Sequence, residues 1–312
     1  NTGNRMVIAD QRSQQTISPL SSLNKSIPLN VLSIFKNNEG VIFVTTWGSG
    51  TFSYNDKNFR TFTDLDGHKS RFGLHTAVYD NNNNLWLSRE DGVSKIKNEN
   101  IVKVFTISNG LPSGIVNDLC LDDFGNIWGA TDNGIFSINN DKVMAYKNKF
   151  DPSFMNFNKI DISKSGIIWA MGKGVLCAFN GDKVRYFTSD SVSIDGWNSG
   201  LLPLDNGNVL FGGFGLKMLS FNEDLPIFSV IKKSGWINGI EYTKDKNIVY
   251  SDTDEGLIVL ENFKEIKVHN EDNGFIFDVP TTVYVDNKGW IWSGHESGGV
   301  GFFNGEIWSY LN

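Results

Sequence analysis

The sequence predicts an all-β fold: a seven-bladed β-propeller with four antiparallel strands per blade. A sevenfold repeat and two turn columns predict it. With Trp128 as marker, equivalent aromatics stand at Phe43, Trp86, Trp128, Trp169, Phe211, Tyr250 and Trp292, spaced 43, 42, 41, 42, 39 and 42 residues apart. A period near 40–45 residues holding several short strands is that of a propeller blade. Three residues before each marker stands Gly40, Asn83, Gly125, Gly166, Asn208, Asn247 or Gly289. These residue types reach positive φ most readily, as a tight hairpin tip requires. Four to seven residues after the marker a second glycine recurs: Gly50, Gly92, Gly134, Gly174, Gly215, Gly256 and Gly298.

Taken in order, residues 1–26 are polar and rich in Ser, Gln and Asn. They are expected to form a surface tail or closing segment, with Met6–Ala9 as its one possible edge strand. The propeller is expected to fill 27–312. Repeat one places strands at Val31–Phe35, Val41–Thr45, Thr51–Tyr54 and Phe59–Phe62. Repeat two runs from Thr76–Tyr79 to Val102–Phe105, repeat three from Val116–Leu121 to Val143–Tyr146, and repeat four from Lys159–Ile162 to Val184–Phe187. Repeat five is irregular, with Gly200–Leu204, Val209–Phe211, Leu216–Phe221 and Ile227–Val230. Repeat six runs from Ile240–Thr243 to Ile266–Val268, and repeat seven from Thr282–Val285 to Ile307–Tyr310. Middle strands buried on both faces read as apolar runs, such as Ile167-Ile168-Trp169-Ala170, and the marker aromatic is expected to pack between blades.

Composition narrows the function classes. The 312 residues carry a formal net charge of −7 with no basic stripe, which argues against nucleic acid. No apolar run reaches the length of a membrane-spanning helix. Cys120 and Cys177 occupy non-equivalent repeat positions and are expected to be buried free thiols. No metalloprotease, zinc-finger, nucleophile-elbow or phosphate-loop motif is present, and no cofactor or metal is expected. The sequence does not fix an oligomeric state.

Two phrases carry a family resemblance. Gly110-Leu111-Pro112-Ser113, followed by a strand and then Asp123-Phe124-Gly125-Asn126-Ile127-Trp128-Gly129-Ala130-Thr131, resembles the two-component regulator propeller repeat. Repeat seven, Asp286-Asn287-Lys288-Gly289-Trp290-Ile291-Trp292, matches it well, whereas repeats five and six are degenerate. The resemblance implies a periplasmic or extracellular sensing region of a bacterial hybrid two-component protein, as a fragment or a stand-alone relative. It also implies a non-catalytic module that binds a carbohydrate or a partner protein.

The candidate site lies on the face shared by the strand two–three loops and the blade connections, where the inner strands begin. Asn30, His75, Asn117, Asn158, Asn198, Asn238 and Thr281 form a polar ring at those starts. Such residues commonly cap local turns, but a ring of amides also suits sugar hydroxyls. Trp47, Arg89, Glu90, Asp132, Lys173, Phe214, Asp254, His295 and Glu296 come from the loops, and Trp197 and Trp236 from the blade connections. The two connection tryptophans are not required by the repeat and suit stacking or a protein contact. The alternative is a lyase or hydrolase of a polysaccharide or lactone, with His75, His295 and Glu296 as its catalytic set.

Overall fold

A computed structural model describes residues 6–9, 14–17, 31–37, 39–46, 50–54, 59–61, 76–89, 91–98, 100–196, 199–275, 279–296 and 299–311. Among these residues its elements are antiparallel strands, most of them three to six residues long, with four single-turn 3₁₀ helices. The innermost strands of the repeats touch one another in chain order, and Pro280–Val285 of the last repeat returns to Val31–Lys36 of the first. The chain is therefore a closed propeller.

The expectation of seven discrete four-stranded blades is corrected by the strand pairing, which gives six sheets among the described residues. Five of them are built on one repeat each. Four of these have four strands, and the last is widened to six by Met6–Ala9 and Gln14–Ile17, added at its outer edge beside Trp308–Leu311. The sixth sheet has seven strands and carries repeats five and six together. They merge because the connection between them never leaves the extended state: Leu225–Tyr242 is one 18-residue strand. Its first part pairs with Gly213–Asn222 and its last part with Ile248–Asp252.

All seven marker aromatics are buried, but they are not all equivalent. In repeat three the turn closes with Asp122 N–H donating to Asn126, Gly125 N–H donating to Asp122, and Trp128 pairing with Cys120. The same bonds in repeat five run between Leu204 and Asn208 and from Gly207 to Leu204; in repeat six they run between Thr243 and Asn247 and from Lys246 to Thr243. The positive φ thus sits at Gly207 and Lys246, one residue earlier than the sequence column places it. The residues in Trp128's place are Leu210, opposite Leu202, and Val249, opposite Glu241. A one-residue slip turns a side chain to the other face of a strand. Trp128 and Trp169 pack forward on the next repeat, as Leu210 does, whereas Phe211 packs back on Trp169 and Phe187 of repeat four, and Tyr250 back on Leu202 and Leu216 of repeat five.

The repeat's acidic turn residue has a definite task. Asp80 accepts the Asn82 and Asn84 amides on one oxygen, and the Asn84 side chain (2.7 Å) and the Trp86 indole N–H (2.9 Å) on the other. Asp122 repeats this with Phe124, Asn126 and Trp128, and Asp286 with Lys288, Trp290 and Trp292. One carboxylate thereby fixes the hairpin and orients the core tryptophan. At Asp286 a further donor, Lys36 Nζ at 2.9 Å, comes from repeat one. With Trp292 packed among Val31, Ile34, Ile42 and Val44, that ion pair joins the last repeat to the first.

The second glycine column is a steric requirement where it can be tested. Gly256 opens its strand at φ 101°, and a Cβ there would run into the carbonyl oxygen of His269 on the neighbouring strand. Of the cysteines, Cys177 is buried, but Cys120, on the inner strand Val116–Leu121, is only half-buried at the edge of the cluster around Trp128. This corrects the expectation for Cys120.

Candidate functional site

The polar ring at the inner-strand starts is built on β-bulges. Strand pairing skips one residue at Asn117, Asn158 and Thr281, and skips Asn238 with Gly239 opposite Ser251. A bulge re-aims the extra side chain, here toward the neighbouring blade. Asn117 Nδ2 donates to the Phe157 carbonyl (2.9 Å), Asn238 Nδ2 to the Pro280 carbonyl (3.2 Å), and Thr281 Oγ1 to the Val31 carbonyl. Each acceptor is the first residue of the next inner strand, so these bonds latch successive blades. Asn158 occupies the same kind of bulge and is half-buried. In repeat one the bulged residue is Leu32, so Asn30 was aligned two residues early; Asn30 itself lies outside the described residues. Replacing Asn117 or Asn238 by Ala is expected to cost about 1 kcal/mol of stability each, measured by urea denaturation. Losses near zero would show that the latches carry no strain-bearing role.

Of the aromatic candidates, Trp47 and Trp197 lie outside the described residues, with Asn198, His75 and Glu90. Trp236 was expected in a loop but lies within the continuous strand Leu225–Tyr242. Its amide donates to Thr253 Oγ1 (2.9 Å), and its carbonyl accepts the Thr253 N–H (3.2 Å). Directly across the ribbon stands Phe214, whose side chain is 59% exposed. The pair is therefore carried on hydrogen-bonded backbone.

Charged groups flank this ribbon. Asp195 accepts Lys217 Nζ (2.8 Å), the Phe214 amide (3.0 Å) and the Ser193 hydroxyl. Burial pushes the Asp195 carboxyl up, but the Lys217, Ser193 and Phe214 hydrogen bonds outweigh it and hold it below the usual carboxylate range. Lys232 lies 2.6 Å from Glu255 and 3.5 Å from Asp252. Asp252 is fully buried, and burial holds its carboxyl above the usual range despite backbone hydrogen bonds from Asp254 and Glu255. Asp132, Lys173 and Asp254 are exposed. Arg89 is turned onto its own hairpin, bonding Asp91 and the Ser94 hydroxyl (3.3 Å).

The members of the alternative catalytic set have different surroundings. His295 is completely buried, its ring 5.1 Å from that of Phe275, whereas the next residue, Glu296, is exposed. His269 is a core residue. It accepts the Trp308 indole N–H on Nδ1 (3.1 Å), and burial, aided by the Lys267 charge, pulls it down to about 4. Among the described residues no group of His, Cys, Asp and Glu is arranged to hold a metal ion. No helix among them is long and apolar enough to cross a membrane.

The sequence reading missed a cluster of titratable groups on the inner strands, which border the channel. Asp118 and Lys159 lie 3.9 Å apart, and Asp118 also accepts the Ile160 amide of the next inner strand (3.1 Å). Asp161 is pushed up to about 7 by burial, its Ile162 amide hydrogen bond opposing and the Asp118 charge adding. Glu241 is pushed up to about 8 by burial and then by Asp161. Tyr284 is raised to about 12 by burial and then by Glu241, and Cys120 is raised by burial and then by Asp161 and Asp118. The signal was present in the repeat. Asp161, Glu241, Tyr284 and Cys120 stand where other repeats have Phe35, Val78 and Leu202.

No family model matches the chain, and no curated protein matches it in sequence. Solved structures do. The extracellular domain described for the hybrid two component system BT3049 of B. thetaiotaomicron superposes with a TM-score of 0.73 at 18% identity, over 90% of this chain and 40% of that one. The corresponding BT4673 domain gives 0.70 at 14% identity, over 99% and 40%. Virginiamycin B lyase from Staphylococcus aureus gives 0.69 at 13% identity, over 92% and 96%. The chain thus spans about 40% of the length of the two-component domains it resembles. At these identities the likeness establishes the propeller fold, and the two-component neighbours agree with the resemblance carried by repeats three and seven.

Proposed function

We propose that this chain is a non-catalytic sensory or ligand-binding propeller, periplasmic or extracellular in a bacterium, that takes a carbohydrate or a partner protein on its loop face. The observation that carries this reading is the likeness, over nearly the whole chain, to extracellular domains of two-component systems. The Phe214–Trp236 ribbon supports it locally. Two aromatics held opposite each other on paired backbone form a platform that loses little freedom on binding. Trp47 and Trp197, with His75, Asn117, Asn158, Asn198, Asn238, Arg89 and Glu296, complete the proposed face, and the buried His295 lies beneath it. The lyase neighbour favours catalysis only through the fold, and fold does not carry function. Against catalysis, His295 is packed under Phe275, where a general base would have to reach a bound substrate.

The test is a glycan array together with affinity capture of extracellular bacterial proteins, using the wild-type chain and variants at Phe214, Trp236 and Trp197. Each replacement by Ala is expected to weaken binding by more than about 1 kcal/mol, or roughly fivefold, with unchanged melting. Binding indifferent to all three would overturn the loop-face reading. Turnover of a lactone or an acidic polysaccharide, lost in a His75→Ala variant, would overturn the non-catalytic one.

A further inference from the structure

The opposite face of the propeller carries a cavity of about 470 Å³ between repeats three and four. It lies among the turns at Asp122–Asn126, Ser163–Gly166 and Asn180–Gly181, with Trp128, Ile162 and Ile168 on its apolar side. At its edge stands Phe124, 87% exposed. The equivalent position in the other six turns is Glu39, Asn82, Ser165, Asn206, Asp245 or Lys288, all polar. The hairpin needs only the backbone of this residue, whose amide donates to Asp122 Oδ1 at 3.0 Å. An aromatic ring in water is therefore unexplained by the turn.

The polar groups around it restrict the ligand. Lys164 is already neutralised by Asp205. Asn180 Oδ1 accepts the amides of Asp182 (3.2 Å) and Lys183 (2.9 Å), while its Nδ2 donates to no group among the described residues. The exposed Asp123 carboxylate likewise has no partner among them. An anion would meet Asp123 with no free cation beside it. A neutral ring bearing hydroxyls finds acceptors in Asp123, a donor in Asn180, a hydroxyl in Ser165 and an apolar face in Phe124. The volume falls in the usual range for a small-ligand site.

We propose that this cavity is a second binding site, for a neutral sugar, with Phe124 packing on the C–H face of a pyranose ring and Asp123 and Asn180 engaging its hydroxyls. The site is separate from the loop face and does not rest on the reading given for it.

Saturation-transfer NMR on the whole chain tests this with three probes: maltose, cellobiose and lactose. Transfer to at least one is expected. Phe124→Ala should weaken that binding at least about fivefold, a side chain so exposed being dispensable for folding. Ser165→Trp, which fills the cavity from an exposed turn position, should abolish it. The whole series is run in a Trp236→Ala background, in which transfer to the probe should persist, so that sugar bound at the loop face is read separately. Absence of transfer from all three sugars would overturn the proposal. So would transfer that survives Phe124→Ala, or transfer lost in Trp236→Ala alone.

Discussion

Replacing Trp86 by Ala is expected to destabilise the chain by about 3–5 kcal/mol, the range for a large aromatic removed from a close-packed core. Trp86 is 3% exposed, stacks 5.5 Å from Phe105, carries Lys95 Nζ over its ring at 5.1 Å, and gives its indole N–H to Asp80. Trp86→Phe separates these contributions. It keeps most of the burial but removes the N–H, so about 1 kcal/mol should be lost. It should also change the response to acid. Burial pushes the Asp80 carboxyl up, but hydrogen bonds from Asn84, Trp86 and Asn82 win and hold it below the usual range. A carboxyl so held contributes stability above its unfolded pKa and loses it as pH falls through the lowered folded value. Without the indole donor the folded value lies closer to the unfolded one, so less stability should be lost to acid and the loss should be complete at higher pH. Urea denaturation of the wild type and both variants, near neutrality and at about pH 4, measures this. A Trp86→Ala loss under about 1 kcal/mol would mean that the aromatic marker is not what holds the blades together.

The repeat was legible because a blade's turn chemistry is local. Asp, Gly and Trp at fixed spacing mark a hairpin whose bonds close within seven residues, as at Asp80–Trp86 and Asp122–Trp128. Blade separation was not legible in the same way. Whether Lys232–Trp236 forms a loop or continues as strand depends on pairing with Gly213–Leu216, which no local signal at those positions announces. The slip of Phe211 and Tyr250 has a similar origin. An aromatic at nearly the right spacing was read as the marker, yet neither Leu204 nor Thr243 has the carboxylate that ties Asp122 to Trp128. Repeats one and four, with Asn37 and Ser163 at this position, keep the register without an acid, so the slip is visible only in the turn bonds.

The site was less legible, because polar residue types do not say whether they face a ligand or a neighbouring blade. Asn117, Asn238 and Thr281 were located as a ring, but their side chains bond carbonyls across blades. Distinguishing these outcomes requires the bulge, and a bulge is a property of two strands. The channel acids were hidden for another reason. Asp161 and Glu241 sit 80 residues apart in sequence, and only the closed ring brings their fields together.

Those acids give the second large effect: stability should fall as pH rises from about 5 to about 8.5. Asp161, at about 7, and Glu241, at about 8, both lie above their unfolded values, chiefly through burial. The folded state therefore holds protons that the unfolded chain has already released. For a carboxyl raised in this way, the free energy of folding worsens steadily between the unfolded and the folded pKa. Lys159, beside Asp118 at 3.9 Å, opposes both shifts, and Tyr284 and Cys120 complete the titratable groups grouped with them. Because the side chains are only partly covered, a combined loss on the order of 2 kcal/mol is expected rather than the full value of the shifts. Glu241→Gln should recover more than half of it at about pH 8.5 and change little at about pH 5, where Glu241 is already protonated. Asp161→Asn should recover part of the remainder, less than additively, since the Asp161 charge is one cause of the Glu241 shift. Urea midpoints for the wild type, the two single variants and the double variant across this range decide the matter. A wild-type midpoint that stays flat from about pH 5 to about 8.5, with Glu241→Gln superimposed on it, would show that the channel solvates both charges and that burial there is not felt.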